Sequence, residues 1–127
     1  MGNHVLSHLS FGVADLDRAA SFYDGVLGAL GYVRVWSNAD GVGYGVAGGN
    51  DKLALFPAGA DRSPPGRGFH VAFAAPSRSA VDRFHAAALH LGGRDDGAPG
   101  LRPGYSPTYY AAFVVDPDGH KLEAVHQ

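Results

Sequence analysis

An internal repeat constrains the fold of this 127-residue chain more than any other feature of its sequence. When the first half is shifted by 62 positions (from residue 8 to residue 70), the segment HLSF at 8–11 aligns with HVAF at 70–73. The same shift aligns Phe22 with Phe84. A period of this length indicates two copies of one supersecondary unit that bury their apolar faces together. A core would not require a repeated histidine, so the repeat also predicts a pseudo-symmetric site.

Each repeat predicts one strand, one helix and further strands. Alternating apolar residues predict the first strand at 5–13 and again at 69–75, and Asp15 and Ser77 are candidate N-caps of the helices that follow. The remaining predicted strands are 32–36, 42–47 and 52–56, then a weak strand at 93–95, then 109–115 and 121–125. We therefore predict one α+β domain over residues 1–127, with two βαβββ modules at about 4–57 and 67–126 and a curled mixed sheet around a metal-binding cleft.

Composition excludes several classes of function. A formal net charge of −2 offers no basic surface for nucleic acid, and no apolar run approaches the ~20 residues of a membrane span. With no cysteine, the chain has no disulfide, no thiolate metal site and no cysteine nucleophile. We expect a cytoplasmic protein whose partner is a small molecule, neither nucleic acid nor membrane.

Three side chains of types that bind metals each lie on the less bulky face of a predicted strand. In the predicted first strands, bulky residues alternate with His8 and His70, and in the last strand Glu123 lies opposite the face of Leu122. Two imidazoles and one carboxylate can hold a divalent transition metal and leave positions open for a substrate. The pattern predicts a metal site formed by His8, His70 and Glu123.

Two segments carry a family resemblance. Residues 8–32 (HLSFGVADLDRAASFYDGVLGALGY) resemble the opening strand and helix of the vicinal oxygen chelate superfamily, which includes glyoxalases, extradiol dioxygenases, fosfomycin thiol transferases and bleomycin-resistance proteins. Residues 113–125 (FVVDPDGHKLEAV) resemble its closing hairpin. The resemblance implies His8, His70 and Glu123 as ligands of one divalent ion (Fe, Mn, Ni or Zn), and a homodimer. Whether the ligands come from one chain or two stays open.

Two positions depart from the pattern of the characterised branches. The fourth-strand position equivalent to Glu123 is Ala54, where glyoxalase I carries a glutamate that serves as ligand and base. The seventh-strand position expected to be tyrosine in the dioxygenase and fosfomycin branches is Phe113. The sequence therefore resembles a glyoxalase-like subgroup, and the type of reaction stays open among isomerase or lyase chemistry, dioxygenation and thiol addition.

Further site residues lie around these ligands. A loop at 97–108 contains Arg102 and Tyr105, and Tyr109 follows it. We assign catalytic roles to Tyr109 and Arg102, which can polarise a substrate oxygen or pair with an anionic group. The candidate substrate-binding residues are Phe56, Ser10, Phe113 and Tyr105.

Two functions fit these features. The leading hypothesis is a metal-dependent enzyme, a lyase, isomerase or dioxygenase, acting on a small substrate that chelates the metal through adjacent oxygens. The alternative is a binding protein of the bleomycin-resistance type, which sequesters a drug or antibiotic without chemistry. The complete predicted ligand set favours the enzyme.

Overall fold

The computed structural model describes residues 5–61 and 63–127, so the predicted first residue of module one, residue 4, lies outside it. Two βαβββ units follow each other along the chain, joined by a segment that contains a 3-10 turn at Gly59–Asp61. Module one consists of β1 (Leu9–Val13), α1 (Leu16–Gly28), β2 (Val33–Asn38), β3 (Gly41–Gly45) and β4 (Leu53–Pro57). Module two consists of β5 (Val71–Ala74), α2 (Arg78–His90), β6 (Arg94–Leu101), β7 (Tyr110–Val115) and β8 (Lys121–His126). The predicted α+β fold is confirmed.

Each module forms its own four-stranded mixed sheet. The strand orders are β1-β4-β3-β2 and β5-β8-β7-β6, so the two sheets have the same topology. In each sheet the first strand is parallel to the last strand of its module, and the other neighbours are antiparallel. Ser10 pairs with Ala54 where Ala72 pairs with Glu123, so the register confirms that Ala54 and Glu123 occupy equivalent positions.

Both helices begin at the predicted caps. Asp15 accepts a hydrogen bond from the Arg18 amide, and Ser77 accepts one from the Ala80 amide. Each helix covers one face of its own sheet. The apolar core is built from these faces, and its largest fully buried side chains are Phe22, Tyr23, Leu27, Tyr44, Leu53, Leu55, Phe84 and Leu122.

The helix-covered sides of the two modules are packed against each other. Helix α1 contacts α2, and Tyr32 donates a hydrogen bond from its hydroxyl to the Ala74 carbonyl at 2.6 Å. The opposite faces of both sheets are therefore turned away from the contact between the modules. These outer faces are the ones that carry the predicted site residues.

A buried polar cluster joins the β7–β8 turn to module one. Asp116 accepts hydrogen bonds from the Tyr23 hydroxyl at 2.5 Å and from the His120 ring at 2.8 Å. The His120 ring stacks on Phe11 with 4.1 Å between centroids, and Asp118 accepts a bond from the Ala14 amide. Burial alone would raise the pKa of Asp116, but the hydrogen bonds from His120 and Tyr23 outweigh it and hold that pKa below its usual value.

One segment differs from the sequence-based expectation. The predicted loop at 97–108 is wrong in its first part, because β6 continues to Leu101 as an edge strand. The strand passes two irregularities in its pairing with β7, one on each side of Gly97, whose φ is 155°. An edge strand tolerates Pro99 and such bulges since one side of its backbone needs no ladder partner.

No helix in the described ranges is long and apolar enough to cross a lipid bilayer.

Candidate metal and substrate site

A histidine and a glutamate meet on the outer face of the second module. His70, just before β5, donates from Nε2 to Glu123 Oε1 on β8 at 2.8 Å. The Glu123 side chain is only 2% exposed, whereas that of His70 is 40% exposed. A buried carboxylate is costly unless it is paired, and an imidazole nitrogen beside carboxylate oxygens is a donor set suited to a divalent metal. The structure thus brings two of the three predicted ligands together.

Tyr109 forms a hydrogen bond with the second oxygen of the buried carboxylate. Its hydroxyl donates to the second oxygen, Glu123 Oε2, at 2.5 Å. Burial and this hydrogen bond to Glu123 raise the pKa of Tyr109 to about 12. The phenol is therefore protonated at neutral pH and acts as a hydrogen-bond donor. Because it fixes one oxygen of Glu123 while His70 contacts the other, the carboxylate has one defined orientation.

Arg102, Phe113 and Tyr105 lie around this centre. The Arg102 guanidinium donates to the carbonyls of Ala98 and Gly100 and lies over the Phe113 ring, with 5.5 Å to its centroid. Phe113 is 6.1 Å from the His70 ring, and Tyr105 packs edge-on against Tyr109 at 5.0 Å. Tyr105 itself is 69% exposed. Four predicted site residues of module two therefore surround the His70–Glu123 pair.

The predicted site residues of module one lie on the outer face of the other sheet. His8 and Ser10 are exposed, and Phe56 is 39% exposed and packs against Trp36 at 6.0 Å. Ala54, which pairs with Ser10, is buried. Module one thus offers one imidazole, one hydroxyl and an apolar surface.

A single chain does not collect the whole predicted ligand set. Within residues 5–61 and 63–127, no three His, Cys, Asp or Glu side chains lie close enough to share a metal ion. His8 contacts the neighbouring Ser7 hydroxyl through Nδ1 at 2.9 Å. The metal triad therefore stays a prediction, and its His8 component requires a second chain or a different arrangement of the modules.

Trp36 packs beside the predicted site residue Phe56, and the glycines of β3 make room for both rings. Its ring lies directly on Gly43, where an added Cβ would be 2.0 Å from the indole nitrogen. Gly41 leaves similar room for the Phe56 ring. Two glycines spaced i, i+2 in a strand leave space on one sheet face, and such a gap indicates a large ring from a neighbouring strand. By contrast, Tyr44 is 2% exposed and lies in the core.

Comparisons with known proteins agree with this architecture. Residues 5–124 match the family model "Glyoxalase/Bleomycin resistance protein/Dioxygenase superfamily". The crystal structure of a glyoxalase/bleomycin resistance protein from Albidiferax ferrireducens T118 is 34% identical, with a TM-score of 0.82, and the match covers 96% of this chain and 98% of that one. No curated protein sequence matches the chain.

Two more distant structures share the fold alone. A glyoxalase-related enzyme from Fulvimarina pelagi is 20% identical with a TM-score of 0.73, over 97% of this chain and 88% of that one. The fosfomycin resistance protein FosX from Listeria monocytogenes is 19% identical with a TM-score of 0.69, over 96% and 92%. By its matching family model, its 34% identical relative and its paired βαβββ modules, the chain belongs to the glyoxalase/bleomycin resistance/dioxygenase superfamily, the vicinal oxygen chelate proteins.

Proposed function

We propose that this protein is a metal-dependent enzyme acting on a small substrate that chelates a divalent metal through adjacent oxygens. The observation that carries the proposal is the 2.8 Å contact between His70 Nε2 and Glu123 Oε1, on a carboxylate that is otherwise buried. Two donor atoms that already converge need little rearrangement to share an ion. A hydrogen bond between them is also the contact expected of such a pair when no ion separates them.

We further propose that His8 joins this pair from a second copy of the chain. Helices α1 and α2 contact each other between the two sheets, and within the described residues His8 does not join the His70–Glu123 pair in a group that could hold a metal. Strands β1 and β5 are the outer strands of their sheets and have one unpaired edge each. Two copies related by a two-fold axis can place β1 of one beside β5 of the other. The unpaired strand edges would then be paired, and the dimer would contain two complete metal sites.

The residues have distinct roles in this scheme. His8, His70 and Glu123 would hold the metal, which supplies Lewis acidity to stabilise an enolate or alkoxide. Tyr109 holds the Glu123 carboxylate through its one hydroxyl proton, which it would have to redirect in order to donate to a substrate oxygen. Arg102 offers a positive charge at the rim. The residues that would contact the substrate are Phe113 and Tyr105 of one copy and Ser10 and Phe56 of the other.

The reaction class follows from what the site contains. Ala54 provides neither ligand nor base, and Phe113 provides no hydroxyl. Because no second glutamate is present, we favour lyase, isomerase or dioxygenase chemistry that relies on the metal and on the Tyr109 hydroxyl, which lies beside Glu123 and would have to replace the hydroxyl missing at Phe113.

A non-catalytic binding function is the second candidate. The observation that favours it is the half-exposed aromatic pair Trp36–Phe56, whose rings are 6.0 Å apart on the outer face of module one. Aromatic surfaces of this kind suit flat drug molecules. Such a binder would sequester its ligand without altering it.

Metal loading and turnover distinguish the two functions. We expect protein purified without chelators and without a histidine tag to bind Fe, Mn, Ni or Zn at about one ion per chain, measured by elemental analysis. The loaded protein should then turn over a member of a dicarbonyl, catechol and epoxide panel. If the protein holds no metal even after reconstitution and binds an aromatic drug tightly, the enzyme hypothesis is refuted and the binding function is supported.

The role of Tyr109 can be tested separately. Tyr109→Phe removes the donor that fixes Glu123 Oε2, and we expect metal affinity to fall about 10-fold or more, the usual effect of losing an outer partner of a ligand. Tyr105→Phe is the matched control, since its exposed hydroxyl has no contact with Glu123. Equal affinities of the two variants by competition with a chelating dye would show that Tyr109 does not position the carboxylate.

A further inference from the structure

A polar cavity opens on the outer face of module two, beside the proposed metal site. Its volume is about 310 Å³. It lies where the segment between the modules enters β5, next to the first residues of β6 and β8. The side chains that shape it are Arg67, Phe69, Arg94, Asp96, Val115 and Lys121.

The cavity is positively charged in a chain whose formal net charge is −2. Three cationic side chains, Arg67, Arg94 and Lys121, line it with a single carboxylate, Asp96. Lys121 Nζ is 3.1 Å from Asp96 Oδ2. In the described part of the chain, the two arginines contact no carboxylate. Two unpaired guanidinium groups beside one cavity are a recognition surface for carboxylate or phosphate.

The register places this charge on the same sheet face as Glu123. Lys121 is two residues before Glu123, so the two side chains point to the same side of β8, about 7 Å apart. Arg94 and Lys121 both lie opposite Val115, which brings Arg94 to the same end of that face. Phe69 immediately precedes His70. The cavity therefore lies next to the His70–Glu123 pair along β8.

We propose that the cavity binds an anionic group at the far end of the substrate whose adjacent oxygens chelate the metal. This inference rests on the proposed function and narrows its substrate class. The substrate is a small molecule with chelating oxygens at one end and a carboxylate or phosphate about 7 Å away, a distance set by two residues of β8. Lys121 changes partner from Asp96 to the anion, and the two arginines bind its remaining oxygens.

The first experiment examines the cavity without the metal site. Calorimetry at low salt measures the binding of inorganic phosphate and of succinate to protein stripped of metal. We expect the parent to bind, Arg67→Gln/Arg94→Gln to lose about 10-fold or more per guanidinium, and Asp96→Asn to bind more tightly. Arg83→Gln is the control, because this exposed arginine on α2 does not line the cavity and instead donates to Ser79. The tighter binding of Asp96→Asn cannot arise from misfolding. Absence of binding to the parent, or equal binding by the double variant, would overturn the proposal.

The second experiment connects the cavity to the metal in the loaded protein. Binding of 2-oxoglutarate is compared with that of 2-oxopentanoate, and binding of dihydroxyacetone phosphate with that of dihydroxyacetone. We expect the member with the extra anion to bind about 10-fold more tightly in the parent and to lose this advantage in Arg67→Gln/Arg94→Gln. The pair of compounds with the larger difference in affinity shows whether the cavity prefers a carboxylate or a phosphate. If binding depends on the metal but the extra anion brings no gain in affinity, the cavity does not bind the substrate's anion, and the proposed metal site is unaffected. If the protein binds anions but takes up no metal, the proposed metal site is refuted and the anion-binding cavity is not.

Discussion

His70→Ala is expected to reduce metal affinity by at least about 100-fold, since loss of an outer partner of a ligand already costs 10- to 100-fold. His70 supplies one of the two donor groups that converge at 2.8 Å, and Glu123 alone cannot chelate an ion at the same affinity. Its side chain is 40% exposed, so truncation leaves no buried cavity. Elemental analysis and a competition titration with a chelating dye measure the loss. We expect Glu123→Gln to show a loss of the same size.

The control for this loss is a histidine outside the site. His90, exposed in the last turn of α2, has no part in the proposed ligand set, and His90→Ala should bind metal like the parent. Circular dichroism and the fluorescence of Trp36, the only tryptophan, verify that each variant is folded. Metal retained by His70→Ala at the parent's affinity would refute histidine ligation at this position.

The largest effect on stability is expected at Asp116. Its carboxylate accepts bonds from the Tyr23 hydroxyl, the His120 ring and the amides of Asp118 and His120. Asp116→Ala leaves these buried donors without an acceptor, and breaking a buried pair in this way costs about 3–5 kcal/mol. Urea unfolding followed by circular dichroism measures the change. Since the cluster joins the β7–β8 turn to module one, the loss should also loosen the contact between the modules.

A matched pair on the surface provides the control. His85 and Asp95 are also 2.8 Å apart, but the Asp95 side chain is 56% exposed, so the solvent screens this pair and Asp95→Ala should cost far less stability than Asp116→Ala. Equal losses in the two variants would show that the Asp116 cluster contributes no more than an ordinary surface pair.

The same cluster predicts how stability depends on pH. The pKa of Asp116 is lower in the folded protein than its usual value of about 3.9, so its ionised form stabilises the fold above that pH. This contribution is lost as the pH falls from about 4 through the folded pKa. The stability of the parent should therefore decline more steeply below pH 4 than that of Asp116→Ala, which lacks the carboxylate.

The sequence predicts which face of a strand each side chain occupies better than it predicts which side chains from different elements come into contact. Alternation along the predicted strands gave His70 and Glu123 the same kind of face, and in the structure the two side chains are in contact. These assignments succeed because side chains in a strand alternate with a period of two, whatever surrounds the strand. The equivalence of Ala54 and Glu123 follows from the repeat for the same reason.

Other features depend on tertiary contacts that periodicity does not report. His120 follows a turn in the sequence, where no periodic pattern indicates burial, yet it packs against Phe11 of module one and pairs with Asp116. The extension of β6 through Gly97 and Pro99 depends on pairing with β7, which overrides the local preference for a loop. How two modules are arranged relative to each other is likewise a property of their packing.

The measurement that tests the central claim most directly is complementation between two inactive chains. His8→Ala and Glu123→Gln are coexpressed with different peptide tags, and the mixed dimer is purified through both tags and assayed for metal. If His8 comes from one copy and His70 with Glu123 from the other, one of the two sites is intact, and the mixed dimer should contain about half the metal of the parent dimer. If each site belongs to one chain, both sites lack a ligand. A mixed dimer with no more metal than either variant alone, or a parent that binds metal fully as a monomer, would contradict the account.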